Sequence, residues 1–110
     1  MRIYRKSEES GDGPVWICGH WNGSPLAIGT GLRSEVGPNE VRHYHPYREY
    51  YVVLDGVAEL EVEGKVVQLR AGMVVMVEPG EHHMVVAVGE AGARWVVIQE
   101  RSEPDTKYLS

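Results

Sequence analysis

The chain contains little cysteine, no phenylalanine and no long apolar run. Its single cysteine, Cys18, excludes an intrachain disulfide and fits a reducing cytoplasm, which is the location we expect. No apolar run approaches the roughly 18 residues that a membrane-spanning helix needs. The basic residues 1–6 are not followed by a hydrophobic stretch. We therefore expect neither a secretory signal nor a membrane partner.

Positive charge is also scarce, because 11 basic residues stand against 16 acidic ones and the formal net charge is −5. No basic stripe is present, so nucleic acid is not an expected partner. No serine or cysteine nucleophile stands beside a plausible base, and no glycine-rich loop opens a helix. The sequence therefore supports neither acyl transfer nor nucleotide binding.

Valine is abundant and provides 17 of the 110 residues, whereas isoleucine provides 4. The 13 glycines and 6 prolines are spread along the whole chain. Valine favours strands, and frequent glycine or proline ends them. No window has the i, i+3, i+4, i+7 apolar spacing of an amphipathic helix. The pattern predicts one all-β domain, an antiparallel sandwich or barrel of about nine or ten short strands.

Two tight turns are predicted near the middle of the chain. Asp55-Gly56 is a preferred two-residue hairpin turn, and it would join a strand at 50–54 to a strand at 57–62. Glu63-Gly64 would make a second tight turn into the strand at 65–69. We thus expect a meander of three short strands in this region.

The last third of the chain is predicted to hold two separate strands and a tail. Residues 83–88 and 93–99 are mostly apolar, and residues 89–92 between them have the composition of a loop. The polar tail at 100–110 is expected to be partly frayed.

Four of the five histidines fall in two groups. His43 and His45 would project from one face of a strand, about 6.6 Å apart at the backbone. Glu49 follows at the start of the next strand, and His82 and His83 come after the Pro79-Gly80 turn. Three imidazoles and one carboxylate suit a divalent ion such as Fe, Mn, Ni, Cu or Zn. Strand parity leaves open whether His82 or His83 takes part. The fifth, His20, has no partner at useful spacing.

The first histidine pair belongs to a longer frame with fixed spacing. The frame runs through Gly37, His43, His45, Glu49 and Gly56, with gaps of five, one, three and six residues. It is similar to the first motif of the cupin superfamily, and every position that the motif names is filled.

A second frame supports the resemblance. Gly72 is followed by five apolar residues and then by Glu78 and the Pro79-Gly80 turn, with His83 three residues beyond that turn's glycine. This spacing resembles the second cupin motif and puts His83 at the ligand position. Two residues depart from the motif, since Glu78 replaces the usual proline and Ala87 the usual asparagine.

The resemblance implies a double-stranded β-helix, a small jelly-roll barrel with room for an ion and a small ligand. We expect residues 1–110 to form a single cupin domain, with a barrel core at about 25–100 and an N-terminal strand and loop at 1–13. Cupins with one barrel often dimerise by exchange of such a strand. A homodimer in which residues 1–6 join the partner's sheet is therefore predicted.

By the same resemblance, the metal ligands are His43, His45, Glu49 and His83. Four protein ligands on a six-coordinate ion leave two positions for a bidentate substrate, or for substrate and O₂. We therefore expect a metal-dependent, dioxygenase-like oxidoreductase that acts on a small oxygenated organic molecule. The alternatives are a cupin that binds a sugar-like ligand without turnover, and a cupin isomerase or lyase. A metal-free scaffold would leave these polar side chains unpaired inside a barrel.

Other residues are candidates for the substrate pocket. Tyr51 shares strand parity with Glu49, so it is expected to face the ion, where its hydroxyl could orient substrate or donate a proton. Arg33 and Arg42 are candidates to pair with an anionic substrate, although Arg42 has the opposite parity to His43. The candidate wall residues, each with plain core packing as the alternative, are Trp16, Val53, Met76 and Trp95.

Overall fold

The computed structural model describes residues 1–6, 15–37 and 40–110, and β-strands dominate them. A single 3-10 turn at His20–Asn22 accompanies the strands. All strand pairs are antiparallel, so the predicted all-β class is confirmed. Within these residues the strands are β1 (Val15–Cys18), β2 (Ala27–Arg33), β3 (His43–Tyr44), β4 (Glu49–Val62), β5 (Lys65–Arg70), β6 (Val74–Val77), β7 (His83–Gln99) and β8 (Tyr108–Leu109).

Two long strands, β4 and β7, pair along their whole length and hold the barrel together. The first half of β4 lies between β6 and the second half of β7, which in turn pairs with β2 and through it with β1. The second half of β4 lies between β5 and the first half of β7, which continues to β3 and β8. The two halves of each long strand therefore pair with different neighbours within one continuous, eight-stranded sheet.

The predicted hairpin at Asp55-Gly56 is wrong, because this dipeptide lies inside β4. The pairing register with β7 shifts on both sides of it, which marks a β-bulge. Gly56 has a φ of 76°, and a Cβ there would lie 2.0 Å from the carbonyl oxygen of Gly92. The positive φ that a hairpin turn requires also suits a bulge, so local sequence does not separate the two.

The loop predicted at 89–92 is likewise part of a continuous strand, β7. Gly92 has a φ of 82° and lies where β7 bends around the bulge of β4. By contrast, the predicted tight turn at Glu63-Gly64 is confirmed. Both of its residues have positive φ, 49° and 83°, and the turn connects β4 to β5.

The bends give the barrel two different ends. At the closed end, where β4 and β7 bend, Val53 pairs with Trp95 and Ala58 pairs with Leu69. These four side chains are at most 2% exposed and belong to the hydrophobic core. Both β4 and β7 start and end at the open end, where Glu49 pairs with Gln99 and Val62 pairs with His83.

Only one terminus differs from the sequence predictions. Residues 1–6 form no strand in the single chain, their pairing with a partner's sheet stays a prediction, and the predicted loop at 7–13 lies outside the described residues. The tail is more ordered than expected, because β8 pairs with the edge strand β3 and Thr106 is buried. In the described part of the chain, no helix is long and apolar enough to cross a membrane.

Candidate metal centre

Four side chains from three parts of the barrel converge at the open end. His43 lies on β3, directly across from His83 at the start of β7. His45 follows β3, and Glu49 begins β4. All four are buried, and one ligand atom of each lies within 4.8 Å of the others. The structure thus brings together the set that the cupin resemblance implies.

The three imidazoles are held in one orientation by the backbone. Because a carbonyl oxygen can only accept a hydrogen bond, each Nδ1 must carry a proton. The Nε2 of each ring is then the atom left to bind a metal ion once it carries no proton, as in metal sites whose ligand rings are oriented by outer hydrogen bonds. The bonds run from His43 Nδ1 to the Val41 oxygen at 2.8 Å, from His45 Nδ1 to the Thr106 oxygen at 2.8 Å, and from His83 Nδ1 to the Glu81 oxygen at 2.9 Å.

Glu49 is the only carboxylate in this cluster, and it is fully hydrogen-bonded within it. Its Oε1 lies 3.0 Å from His83 Nε2, and its Oε2 lies 3.3 Å from His45 Nε2. Oε2 also accepts a hydrogen bond from Gln99 Nε2 at 2.7 Å. Burial alone would raise the pKa of Glu49, but these bonds hold it well below its ordinary value. The group is therefore an anion at neutral pH.

The histidines differ in their charge preference. Burial lowers the pKa of His43 to about 4, so its ring is neutral at physiological pH. Burial acts the same way on His83, but the bond to Glu49 and its negative charge raise the pKa of His83 overall. Once His83 has lost the proton that it shares with Glu49, three imidazoles and one carboxylate form the donor set of a borderline divalent ion, so the four residues fit a transition metal.

An outer layer of hydrogen bonds supports the ligands. Because Gln99 must donate to the Glu49 carboxylate, its amide oxygen faces Tyr47, whose hydroxyl donates to it at 3.0 Å. The Tyr47 hydroxyl also lies 2.8 Å from Thr106 Oγ1. Sequence reasoning missed these groups. Gln99 shares strand parity with Trp95, so its inward position could have been predicted, but no local sequence pattern indicates a role for Thr106.

A family model described as a cupin domain matches residues 32–99, which is more than half of the chain. The chain belongs to the cupin family. In the comparison with curated proteins, none matches this cupin.

Solved structures agree on the fold. An uncharacterised conserved Klebsiella pneumoniae protein with a double-stranded β-helix domain is 19% identical with a TM-score of 0.73, covering 96% of this chain and 89% of that one. An RmlC-like cupin from Methanocaldococcus jannaschii is 11% identical with a TM-score of 0.70, covering 92% and 91%. A Bacillus subtilis oxalate decarboxylase variant is 14% identical with a TM-score of 0.71, covering 97% of this chain but only 30% of that one. Such identities show the fold alone, and the predicted double-stranded β-helix is confirmed.

The cupin's open end contains a cavity of about 440 Å³ that includes the cluster apart from His83. Three predicted pocket residues, Trp16, Tyr51 and Trp95, line it. Val53 does not lie in this wall: it has the parity of Glu49 but packs into the hydrophobic core toward the closed end.

The prediction that Met76 lines the pocket is wrong. It pairs with Tyr50, so it faces away from the side of β4 that carries Glu49. Its side chain is 45% exposed on the outer surface of the barrel. The apolar run that contains Met76 has no polar residue to reveal which face is buried, and only the pairing with β4 decides it.

The structure also decides between the two adjacent histidines. His83 joins the cluster, whereas the ring of His82 lies 4.3 Å from that of Tyr44 and its Nδ1 contacts the Ser110 hydroxyl. His20 lies at the rim of the cavity, where its Nδ1 is 2.8 Å from Ser102 Oγ.

Tyr51 is buried beside the cluster, with its ring nearly perpendicular to that of His83 and the ring centres 6.3 Å apart. Burial and the negative charge of Glu49 raise the pKa of Tyr51 well above its ordinary value. Its hydroxyl therefore keeps its proton at neutral pH. It can donate a hydrogen bond or a proton to a ligand in the cavity, but it cannot act as a phenolate base.

Proposed function

We propose that this cupin is a metal-dependent, dioxygenase-like oxidoreductase that acts on a small oxygenated organic substrate. The observation that carries the proposal is the orientation of the three imidazoles. Backbone carbonyls hold each Nδ1, and the ligand atoms converge with Glu49 beside a cavity of about 440 Å³. That volume suits a small molecule.

The chain's own residues have distinct parts in this proposal. His43, His45, Glu49 and His83 would hold a divalent ion, which when bound supplies Lewis-acid or redox chemistry. Tyr51 would donate a hydrogen bond to a substrate oxygen. Trp16 and Trp95 line the cavity and would exclude water from the bound substrate.

Metal binding is tested first, by elemental analysis after reconstitution with Fe, Mn, Ni, Cu or Zn. We expect one ion per chain in the unaltered protein and in the His82→Ala control, because His82 lies outside the cluster. The His45→Ala variant should fold and lose the ion. If no ion is retained by the unaltered protein, or if His45→Ala keeps full affinity, the proposal fails.

Turnover is tested by O₂ uptake and product analysis with diketones, catechols, thiols and keto acids. We expect metal-dependent O₂ consumption with one of these classes and none in His45→Ala. Conversion without O₂ uptake would instead indicate an isomerase or lyase. Saturable binding of a small ligand, such as a sugar, without any conversion would indicate a binding cupin. Either result overturns the oxidoreductase proposal.

We also propose that the protein is a homodimer. Support comes from the apolar outer face of β4 and β6, where Leu54, Val74 and Met76 are 48%, 60% and 45% exposed. Residues 1–6, whose Ile3 is 72% exposed, are available to pair with a second copy. Light scattering should give twice the chain mass of 12.3 kDa, and Val74→Asp should reduce it to the monomer. A monomeric unaltered protein would exclude the dimer.

A further inference from the structure

Arg33 is a buried cation in the wall of the cavity. It ends β2, and its side chain is only 6% exposed. The guanidinium carbon lies 5.6 Å from the ring centre of Trp95, so one face of the group is covered by an aromatic ring. Strand β2 therefore directs a permanent positive charge into the same cavity as the candidate metal ligands.

The hydrogen-bonding capacity of Arg33 is largely unused. Glu40 Oε1 lies 3.5 Å from Arg33 Nη1, too far for a strong bond, and the same oxygen accepts the backbone N–H of Val85 at 2.8 Å. Within the described part of the chain, no hydrogen-bond acceptor meets the buried Nε or Nη1 of Arg33. Buried polar groups are almost always satisfied, so these two N–H groups point to a ligand.

A guanidinium that lines a cavity has the chemistry of a carboxylate receptor. A planar fork of N–H donors matches the two oxygens of a carboxylate, and such pairs are strong where water is excluded. Arg33 and Glu40 line the same cavity as Tyr51 and three of the four cluster residues, so a small ligand in this cavity can meet both the arginine and the cluster.

We propose that Arg33 binds the carboxylate of a small organic monoanion whose other oxygen atoms face the His43, His45, Glu49 and His83 cluster. Carboxylate binding by Arg33 does not depend on the proposed function, whereas the position of the other oxygen atoms rests on it. With a divalent ion in place, Arg33 and the ion exceed the carboxylates Glu40 and Glu49 by one positive charge. A monoanion would neutralise this buried excess.

The test compares pyruvate with butane-2,3-dione, a neutral probe of similar size and shape. Binding to the full chain is followed by tryptophan fluorescence, because Trp95 contacts the guanidinium. We expect pyruvate to bind at least ten-fold more tightly than the dione, which corresponds to about 1.4 kcal/mol.

The decisive variant is Arg33→Met with Glu40→Gln, which removes both charges and leaves no unpaired buried carboxylate. It should bind pyruvate about ten-fold more weakly and the dione unchanged. The matched control is Arg42→Met with Glu61→Gln, which removes another arginine–glutamate pair, 3.3 Å apart and outside the cavity. This control should keep the preference for pyruvate. Near-ultraviolet circular dichroism verifies that both variants are folded.

Each titration is run on metal-loaded and on EDTA-treated protein. If the metal fails to bind but the apoprotein still shows an Arg33-dependent preference for pyruvate, the carboxylate site stands and the proposed function falls. If pyruvate does not bind saturably, binds no better than the dione, or keeps its affinity in the Arg33 variant, the carboxylate site is overturned whatever the metal does.

Discussion

The closed and open ends of the barrel are built from the same two strands, β4 and β7, and their interiors have opposite chemistry. At the closed end the inward residues include Val53 and Ala58 of β4, which are at most 2% exposed. At the open end the inward residues of the same strands are Glu49, His83 and Gln99, which are also buried. Burial alone therefore does not distinguish the two ends.

The ends differ in what stabilises them. Apolar side chains at the closed end gain free energy by leaving water and packing closely. Buried polar groups at the open end cost free energy unless each finds a partner, and here most do so through backbone carbonyls, Gln99, Tyr47 and Thr106. The comparison indicates that stability depends chiefly on the closed end and ligand chemistry on the open end. Substitutions at each end should therefore affect stability and metal affinity differently.

The largest effect is expected at the bend of the closed end. Gly56→Ala would place a methyl group 2.0 Å from the Gly92 oxygen at positive φ, so the unfolding free energy should fall by about 4 kcal/mol. Gly64→Ala is the control, because it has a φ of 83° but no atom within 4 Å, and it should cost only about 1 kcal/mol. Urea unfolding measures both. Equal losses of unfolding free energy would show that the close approach of Gly56 to Gly92 contributes nothing specific to stability.

Core packing near that end is tested by Leu69→Ala. Leu69 is 0% exposed, so its truncation should cost about 3 kcal/mol while metal affinity per folded molecule stays unchanged. Val66→Ala on the same strand is the control, since Val66 is 60% exposed and its loss should cost at most about 0.5 kcal/mol. A parallel fall in metal affinity would contradict the division between the ends.

Metal removal tests the open end's contribution to stability. An ion at 100 times its dissociation constant stabilises the folded state by about 2.7 kcal/mol, so chelation should lower the unfolding free energy by that amount. In His45→Ala the same chelator should have no effect. Denaturant titration with and without EDTA measures the difference, and sensitivity to EDTA in His45→Ala would place the ion elsewhere.

The tail contributes to the metal site through the backbone. Truncation after Asp105 removes the Thr106 carbonyl that accepts the His45 Nδ1 proton, so metal affinity should fall about 10- to 100-fold. Thr106→Ala keeps that carbonyl and should lose clearly less. Competition with a chromogenic chelator gives both affinities. Equal losses would mean that the hydroxyl of Thr106, not its carbonyl, matters.

The smallest effect is expected from Tyr47→Phe. It deletes the hydroxyl between Gln99 and Thr106 without touching a ligand, so metal affinity should fall by no more than about ten-fold. Tyr44→Phe is the control, because its ring lies against His82 outside the cluster. An unchanged affinity in Tyr47→Phe would limit the supporting layer to Gln99 and the backbone carbonyls.

The candidate metal ligands could be predicted because strand parity and the two cupin-like motifs are both visible in the sequence. Strand parity puts His43 and His45 on one face, and the spacing to Glu49 and to His83 resembles the two cupin motifs. The structure agrees with that set and resolves the choice between His82 and His83. Tyr51 is placed beside the cluster by the same parity argument.

The pairing between distant strands could not be predicted in this way. Asp55-Gly56 has the composition of a hairpin turn, but β7 pairs on both sides of it and makes it a bulge. Met76 lies in an apolar run with no marked face, and its position opposite Tyr50 turns it outward. In both cases the deciding contact comes from a segment distant in sequence.

The all-β class followed from the valine content and the turn residues, and the candidate ligand set followed from the resemblance of two spaced motifs to those of cupins. Both are patterns that can be read along the chain without knowing which strands pair. Three further features depend on tertiary contacts: which end of the barrel is open, the hydrogen bond to Thr106 that orients His45, and the entry of Arg33 into the cavity with unused N–H groups. The reason is that these contacts join residues far apart in the chain, and they exist only once β4 and β7 have folded around each other.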